Sequence, residues 1–118
     1  MAQIRITRRA LSDLNKIEED SNSDFGQIVA DKYLDDIENA LRALSEHPSL
    51  LTEKPFADYV RFYGVRKHTL VFCMLEDILY LLTLKYGGMD IEDIVIRLET
   101  TLLREAEIMH ERLKTESH

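Results

Sequence analysis

Val60-Arg61-Phe62-Tyr63-Gly64-Val65-Arg66-Lys67-His68-Thr69-Leu70-Val71-Phe72-Cys73-Met74-Leu75 carries two strand patterns on either side of a basic interruption. Its first half alternates Val60 and Phe62 with Arg61 and Tyr63, and its second half is apolar from Leu70 to Leu75. Gly64 to Lys67 lies between them, so the pattern predicts a hairpin whose strands meet at a short cationic turn. Glu76-Asp77 is the next reversal, followed by Ile78 to Leu84, apolar on both pleats. A strand of that kind belongs in the middle of a sheet, with cover above it.

Upstream, Ile4-Arg5-Ile6 is a short alternating segment, and Thr7 is placed to cap a following helix. Ala10, Leu11, Leu14 and Ile17 recur at helical spacing and stop in the polar run Glu18 to Ser23, which predicts a first helix of about 13 residues. Ser23 or Asp24 would cap a second helix with the apolar stripe Phe25, Ile28, Val29, Tyr33, Ile37, Ala40, Leu41 and Leu44. Pro48 ends it, and Pro55 lies in a polar loop. The expected core is Leu14, Ile28, Tyr33, Ile37, Leu41, Leu70, Phe72 and Leu82.

After Gly87-Gly88, Asp90 caps a helix whose apolar positions include Ile91, Ile94, Val95, Leu98, Leu102, Met109 and Leu113. At about 24 residues it would be roughly 36 Å long, more than a small sheet covers. Its distal half is therefore expected to project, fray or pack on another chain, with Ile94, Leu98, Leu102 and Met109 as the surface for a second copy or another protein; the alternative is that Ile91 to Leu98 pack on the chain's own helical hairpin and the remainder frays.

The chain has 118 residues and a formal charge of −7. That length suits one domain with an ordinary core. Its one cysteine, Cys73, lies in an apolar run and reads as a packed thiol in a reducing compartment. No run is long enough for a membrane helix, and the start of the chain is too polar for a signal peptide; a cytoplasmic protein is expected. His47, His110 and His118 have no ligand spacing with one another or with Cys73, so neither a metal nor a cofactor is expected. The charge is uneven. Asp13 to Glu46 holds ten acids against three bases, whereas Lys54 to His68 holds Lys54, Arg61, Arg66 and Lys67 against Asp58 alone. The second segment is the candidate contact surface.

Four short motifs occur in a recognisable order: Thr7-x-x-Ala10-x-x-Asp13-Leu14-x-x-Ile17, Leu44-Ser45-Glu46-His47-Pro48-x-Leu50, Val60-Arg61 leading into Arg66-Lys67-His68, and Leu84-Lys85-Tyr86-Gly87-Gly88-Met89-Asp90. Together they resemble the RelE/ParE superfamily of toxins from bacterial type II toxin–antitoxin pairs. The resemblance implies an α+β fold, with an N-terminal strand and a helical hairpin packed on a small antiparallel sheet of about four strands, plus a C-terminal helix. It covers residues 1–94 as a toxin domain and leaves 95–118 as an extension.

The implied function depends on the branch. RelE-like members cut mRNA on the ribosome, using basic residues to stabilise charge during phosphodiester cleavage, whereas ParE-like members inhibit DNA gyrase; both are held by a cognate antitoxin. Arg61, His68, Lys85 and Tyr86 are the catalytic candidates, and Lys54, Arg61, Arg66, Lys67 and His68 the target-binding ones. This chain carries Thr83 and Met89 where basic residues are common in the nuclease branch. That depletion favours the ParE-like reading, with the nuclease and an inert binding or dimerisation module as alternatives.

Overall fold

The computed structural model describes residues 2–87 and 90–116. The elements run β1 (Gln3–Ile6), α1 (Arg8–Phe25), α2 (Gln27–Glu46), a single 3-10 turn at Pro48–Leu50, β2 (Thr52–Lys54), β3 (Ala57–Val65), β4 (His68–Leu75), β5 (Ile78–Tyr86) and α3 (Ile91–Glu116). The strands form one five-stranded sheet in the order β1-β5-β4-β3-β2. β1 runs parallel to β5, and the other neighbours are antiparallel. The expected α+β architecture is present, with one strand more than the sequence pattern indicated. Thr52, Glu53 and Lys54 are all exposed, so β2 has no apolar alternation to betray it.

The β3–β4 hairpin forms as expected, but its turn is tighter. Gly64 pairs with Thr69 inside the ladder and Val65 with His68, so only Arg66 and Lys67 make the reversal. Arg66 adopts φ 51°, the positive value that the first central residue of a two-residue hairpin turn requires. Glu76 does the same at φ 57° in the β4–β5 turn.

The first helix is longer than its apolar pattern. The polar residues 18–23 continue α1 to Phe25, because their side chains face solvent and nothing in them breaks the backbone. The break comes at Gly26, whose φ of 90° lets α2 start one residue later. As a consequence Phe25 and Ile28 sit at the tip of the helical hairpin, 68% and 75% exposed, and the core position expected for Ile28 is not realised.

Side-chain alternation along the sheet builds two apolar faces. One carries Val65, Leu70, Phe72, Leu79, Leu81 and Leu84, and packs on Ala10, Ile37, Ala40 and Leu44 of the α1–α2 hairpin, with Leu14, Tyr33 and Leu41 partly buried at its margin. The other carries Val60, Phe62, Val71, Cys73, Tyr80 and Leu82, and packs on Val95, Leu102 and Ala106 of α3. Leu82 is thus core, but on the face away from the hairpin.

This second layer corrects the expectation for the C-terminal helix. Leu102 is 1% exposed, and Leu98, Leu103, Met109 and Leu113 pack around the same cluster. The stripe that was expected to meet a partner covers the chain's own sheet, because a sheet with two apolar faces needs two covering layers. Polar contacts fix the helix as well. The Tyr80 hydroxyl lies 2.7 Å from Nδ1 of buried His110, while Glu76 Oε1 stands 2.7 Å from Lys114 Nζ and 3.3 Å from His110 Nε2. Lys114 and His110 together hold the Glu76 carboxyl below its ordinary range, the Lys114 hydrogen bond being the larger cause. The boundary expected at residue 94 falls inside α3.

Candidate functional site

The order of strands and the first turn of α1 are joined by a short polar network. β5 takes two steps, Leu81 to Thr83, where β4 takes one, Phe72 to Val71, so a bulge forms at Leu82. Thr7 closes on it. Its N–H donates to the Leu81 carbonyl at 3.2 Å, and its hydroxyl lies 3.2 Å from both the Leu81 and Leu82 carbonyls while accepting from the Ala10 N–H. Asp13, nearly two turns along α1, accepts from the Thr83 hydroxyl and from the Leu84 N–H at 3.2 Å. Thr7-x-x-Ala10-x-x-Asp13 is therefore one helix face: a cap and a carboxylate fastened to the bulge, with fully buried Ala10 between them. Thr83 is also fully buried, so the position expected to show a missing cation is sealed under α1.

Two exposed cations, Arg66 and Lys67, sit in the turn that leads into β4, beside the end of β5. Arg66, in the turn, forms an ion pair with Asp36 of α2, and its Cζ lies 5.3 Å from the centre of the Tyr33 ring. The Tyr33 hydroxyl is hydrogen-bonded to His68 Nδ1, with the two rings edge to face at 5.4 Å. Tyr86 pairs with His68 across the ladder, and its ring stands 5.8 Å away. The Gly87 N–H closes the patch on the Lys67 carbonyl at 2.6 Å. A Cβ at Gly87 would stand 3.1 Å from that oxygen, tighter than an ordinary contact.

Burial governs the titration of this cluster. It lowers the His68 pKa below its usual 6.5 and raises that of Tyr33, with the Lys67 backbone N–H and the Arg66 charge opposing the latter. His68 is then neutral near pH 7, and Nδ1 can accept the Tyr33 proton. Arg66 already has a counter-ion. The patch offers a cation, an imidazole and two phenol rings for contact with a polar surface.

Other sequence candidates do not converge there. Arg61 lies four residues before Val65 on β3, about 13 Å along the strand. It pairs with Glu53 at 3.3 Å and donates to the Asp58 and Val60 carbonyls. Lys54 is exposed on the edge strand β2, and Lys85 pairs with Thr69 in the ladder beside the patch. Met89 lies outside the described residues. Tyr33 and Asp36 are the contributors that sequence reasoning missed. Their spacing of three residues put them on one side of α2, but nothing local linked that side to residues 66–68.

With this geometry established, a family model matches the chain over residues 4–91, that of the ParE toxin of the type II toxin–antitoxin system parDE. The chain belongs to the ParE toxin family. It is a type II toxin by that membership, and the matched region takes in the sheet, the hairpin and the site, stopping at the first residue of α3. The fold is shared with a solved structure described as the chromosomal ParDE TA system from P. aeruginosa. The TM-score is 0.65 at 20% identity, with 73% of this chain and 96% of that chain covered. No curated protein matches. In this ParE-family chain the helix that covers the second sheet face lies beyond the family match. Among the described residues, no helix is long and apolar enough to cross a membrane.

Proposed function

We propose that this toxin arrests growth by binding DNA gyrase, and that a cognate antitoxin protein holds it inactive in the cytoplasm. The match to the ParE toxin model over residues 4–91 carries the reading. The electrostatics support it. Phosphodiester cleavage needs a base, an acid and cations converging on one phosphate. Here Arg66 is compensated by Asp36, Arg61 by Glu53, and Thr83 is buried against Asp13. Spread charges of this kind suit docking on a protein surface, with Arg66, Lys67 and His68 at the centre and Arg61 and Lys54 at the rim.

Purified toxin should inhibit supercoiling by gyrase, and Arg61→Ala/Arg66→Ala/Lys67→Ala should relieve both that inhibition and growth arrest while the circular dichroism spectrum is kept. A cell-free translation reaction analysed by primer extension separates the nuclease alternative, since cut mRNA without gyrase inhibition would overturn the proposal. Undiminished toxicity of the triple variant would remove these residues from the contact surface.

A further inference from the structure

The helical hairpin reaches beyond the sheet that it covers. α1 packs on the sheet core as far as Ile17, and α2 from Tyr33 onward. Residues 18–32 belong to neither apolar cluster and form a tip of about two turns of each helix. Ala30 alone among them is buried. Phe25 ends α1, and Ile28 and Val29 open α2 just past Gly26; the three are 68%, 75% and 38% exposed. Three large apolar side chains within five positions, outside both cores, make the kind of exposed patch that marks an interaction surface.

The charge beside that patch has one sign. Residues 18–35 hold Glu18, Glu19, Asp20, Asp24, Asp31 and Asp35 against Lys32 alone. All six carboxylates are exposed, and among the described residues none of them is in an ion pair. Asp31 accepts from the neutral Gln27 amide at 2.6 Å, which leaves its charge uncompensated. The last turn of α1 carries no basic residue, although the end of a helix favours cations. Asp36, the next acid along α2, differs from these six because Arg66 is its counter-ion.

We propose that the tip of the helical hairpin docks a basic amphipathic segment of a partner protein. Its apolar side chains would seat on Phe25, Ile28 and Val29, and its lysines or arginines would meet the flanking carboxylates. Charge decides among the occupants. A nucleic acid or an anionic membrane surface would be repelled by the same six acids. Two tips meeting about a two-fold axis would set acid against acid. The Arg66–Lys67 turn of a second copy brings two cations, and Arg66 is already held by Asp36. The inference does not depend on the gyrase reading, since binding is measured without toxicity.

The full chain should be titrated with a synthetic peptide of about 14 residues that sets leucine and lysine on opposite faces of a helix, followed by amide NMR and fluorescence anisotropy. Shifts should centre on the amides of Phe25, Ile28 and Val29. Glutamate in place of lysine should abolish binding, and serine in place of leucine should weaken it. Phe25→Ser/Ile28→Ser should weaken binding by about tenfold or more and leave Tm unchanged, because neither side chain belongs to a core cluster. Asp24→Lys/Asp31→Lys keeps the apolar patch and should weaken binding as well; it carries the test if the serine variant does not fold. The proposal is overturned by no binding up to about 1 mM, by equal binding of either substituted peptide, or by shifts centred elsewhere. Self-association in sedimentation that the serine variant abolishes would overturn it too, as would tighter binding of anionic phospholipid vesicles to the same residues.

Discussion

Replacing Asp13 by Ala removes one carboxylate that serves two donors. The Thr83 hydroxyl and the Leu84 N–H both end on Asp13 Oδ2, and Thr83 is fully buried. A hydrogen bond to a charged acceptor contributes about 1.5–3 kcal/mol, and a buried donor left without a partner costs about 1–3 kcal/mol. Asp13 is itself partly exposed, so water can reach its position and replace part of the loss. The expected destabilisation is about 2–4 kcal/mol, which for a domain of this size lowers Tm by roughly 10–20 °C. A double-mutant cycle isolates the effect. Thr83→Val alone should destabilise, because it leaves Asp13 with one donor fewer, whereas in the Asp13→Ala background it should be nearly neutral or stabilising. Urea melts of the four proteins give the coupling, expected at about 1–3 kcal/mol. Additive costs, or a loss below about 0.5 kcal/mol for Asp13→Ala, would refute the idea that α1 fastens the bulge.

Leu102→Ala should cost about 2–5 kcal/mol, because its side chain is enclosed between α3 and the sheet; an unchanged urea midpoint would contradict that packing. A chain ending at Glu99 should lose cooperative melting and bind an apolar dye, since Phe62, Val71, Tyr80 and Leu82 would be uncovered; a well-folded truncated protein would show that α3 is an accessory. The lowered pKa of His68 means that the unfolded chain binds its proton first. Stability should therefore be complete above about pH 6.5 and fall as pH drops toward the lowered folded value, more steeply than in His68→Asn; Glu76 acts in a separate window below its ordinary 4.5. Equal pH slopes in the two proteins would remove His68 as the cause. The Cys73 thiol, pushed up to about 12 by burial and by the charge of Glu107, should resist alkylation at pH 8 in the folded protein and react on unfolding.

Much of the fold could be read locally. Alternation in Val60 to Leu75 placed β3 and β4, the double-sided apolar run placed β5 inside the sheet, and Thr7 and Asp90 cap their helices, Asp90 accepting from the Asp93 N–H at 3.1 Å. Each of these depends on residues within a few positions of one another, where helix and strand periods act directly. The hairpin turn was misplaced because Gly64 resembles a turn residue, although its ladder partner Thr69 keeps it in the strand.

The remaining features were decided by contacts between distant segments. The apolar stripe of α3 was legible in the sequence, but its destination was not: periodicity states that a face is apolar and does not say what it meets. That the sheet has a second apolar face, and that Val95, Leu102 and Ala106 cover it, follows only from the packed order of the strands. The cationic site is divided in the same way. Arg66, Lys67 and His68 were visible as a cluster, whereas Tyr33 reaches His68 across 35 residues of chain, Asp36 reaches Arg66 across 30, and Asp13 reaches Thr83 across 70. Local pattern specifies which residues seek burial or a counter-charge; the pairing of those needs is settled when α1, α2 and α3 close on the two faces of one sheet.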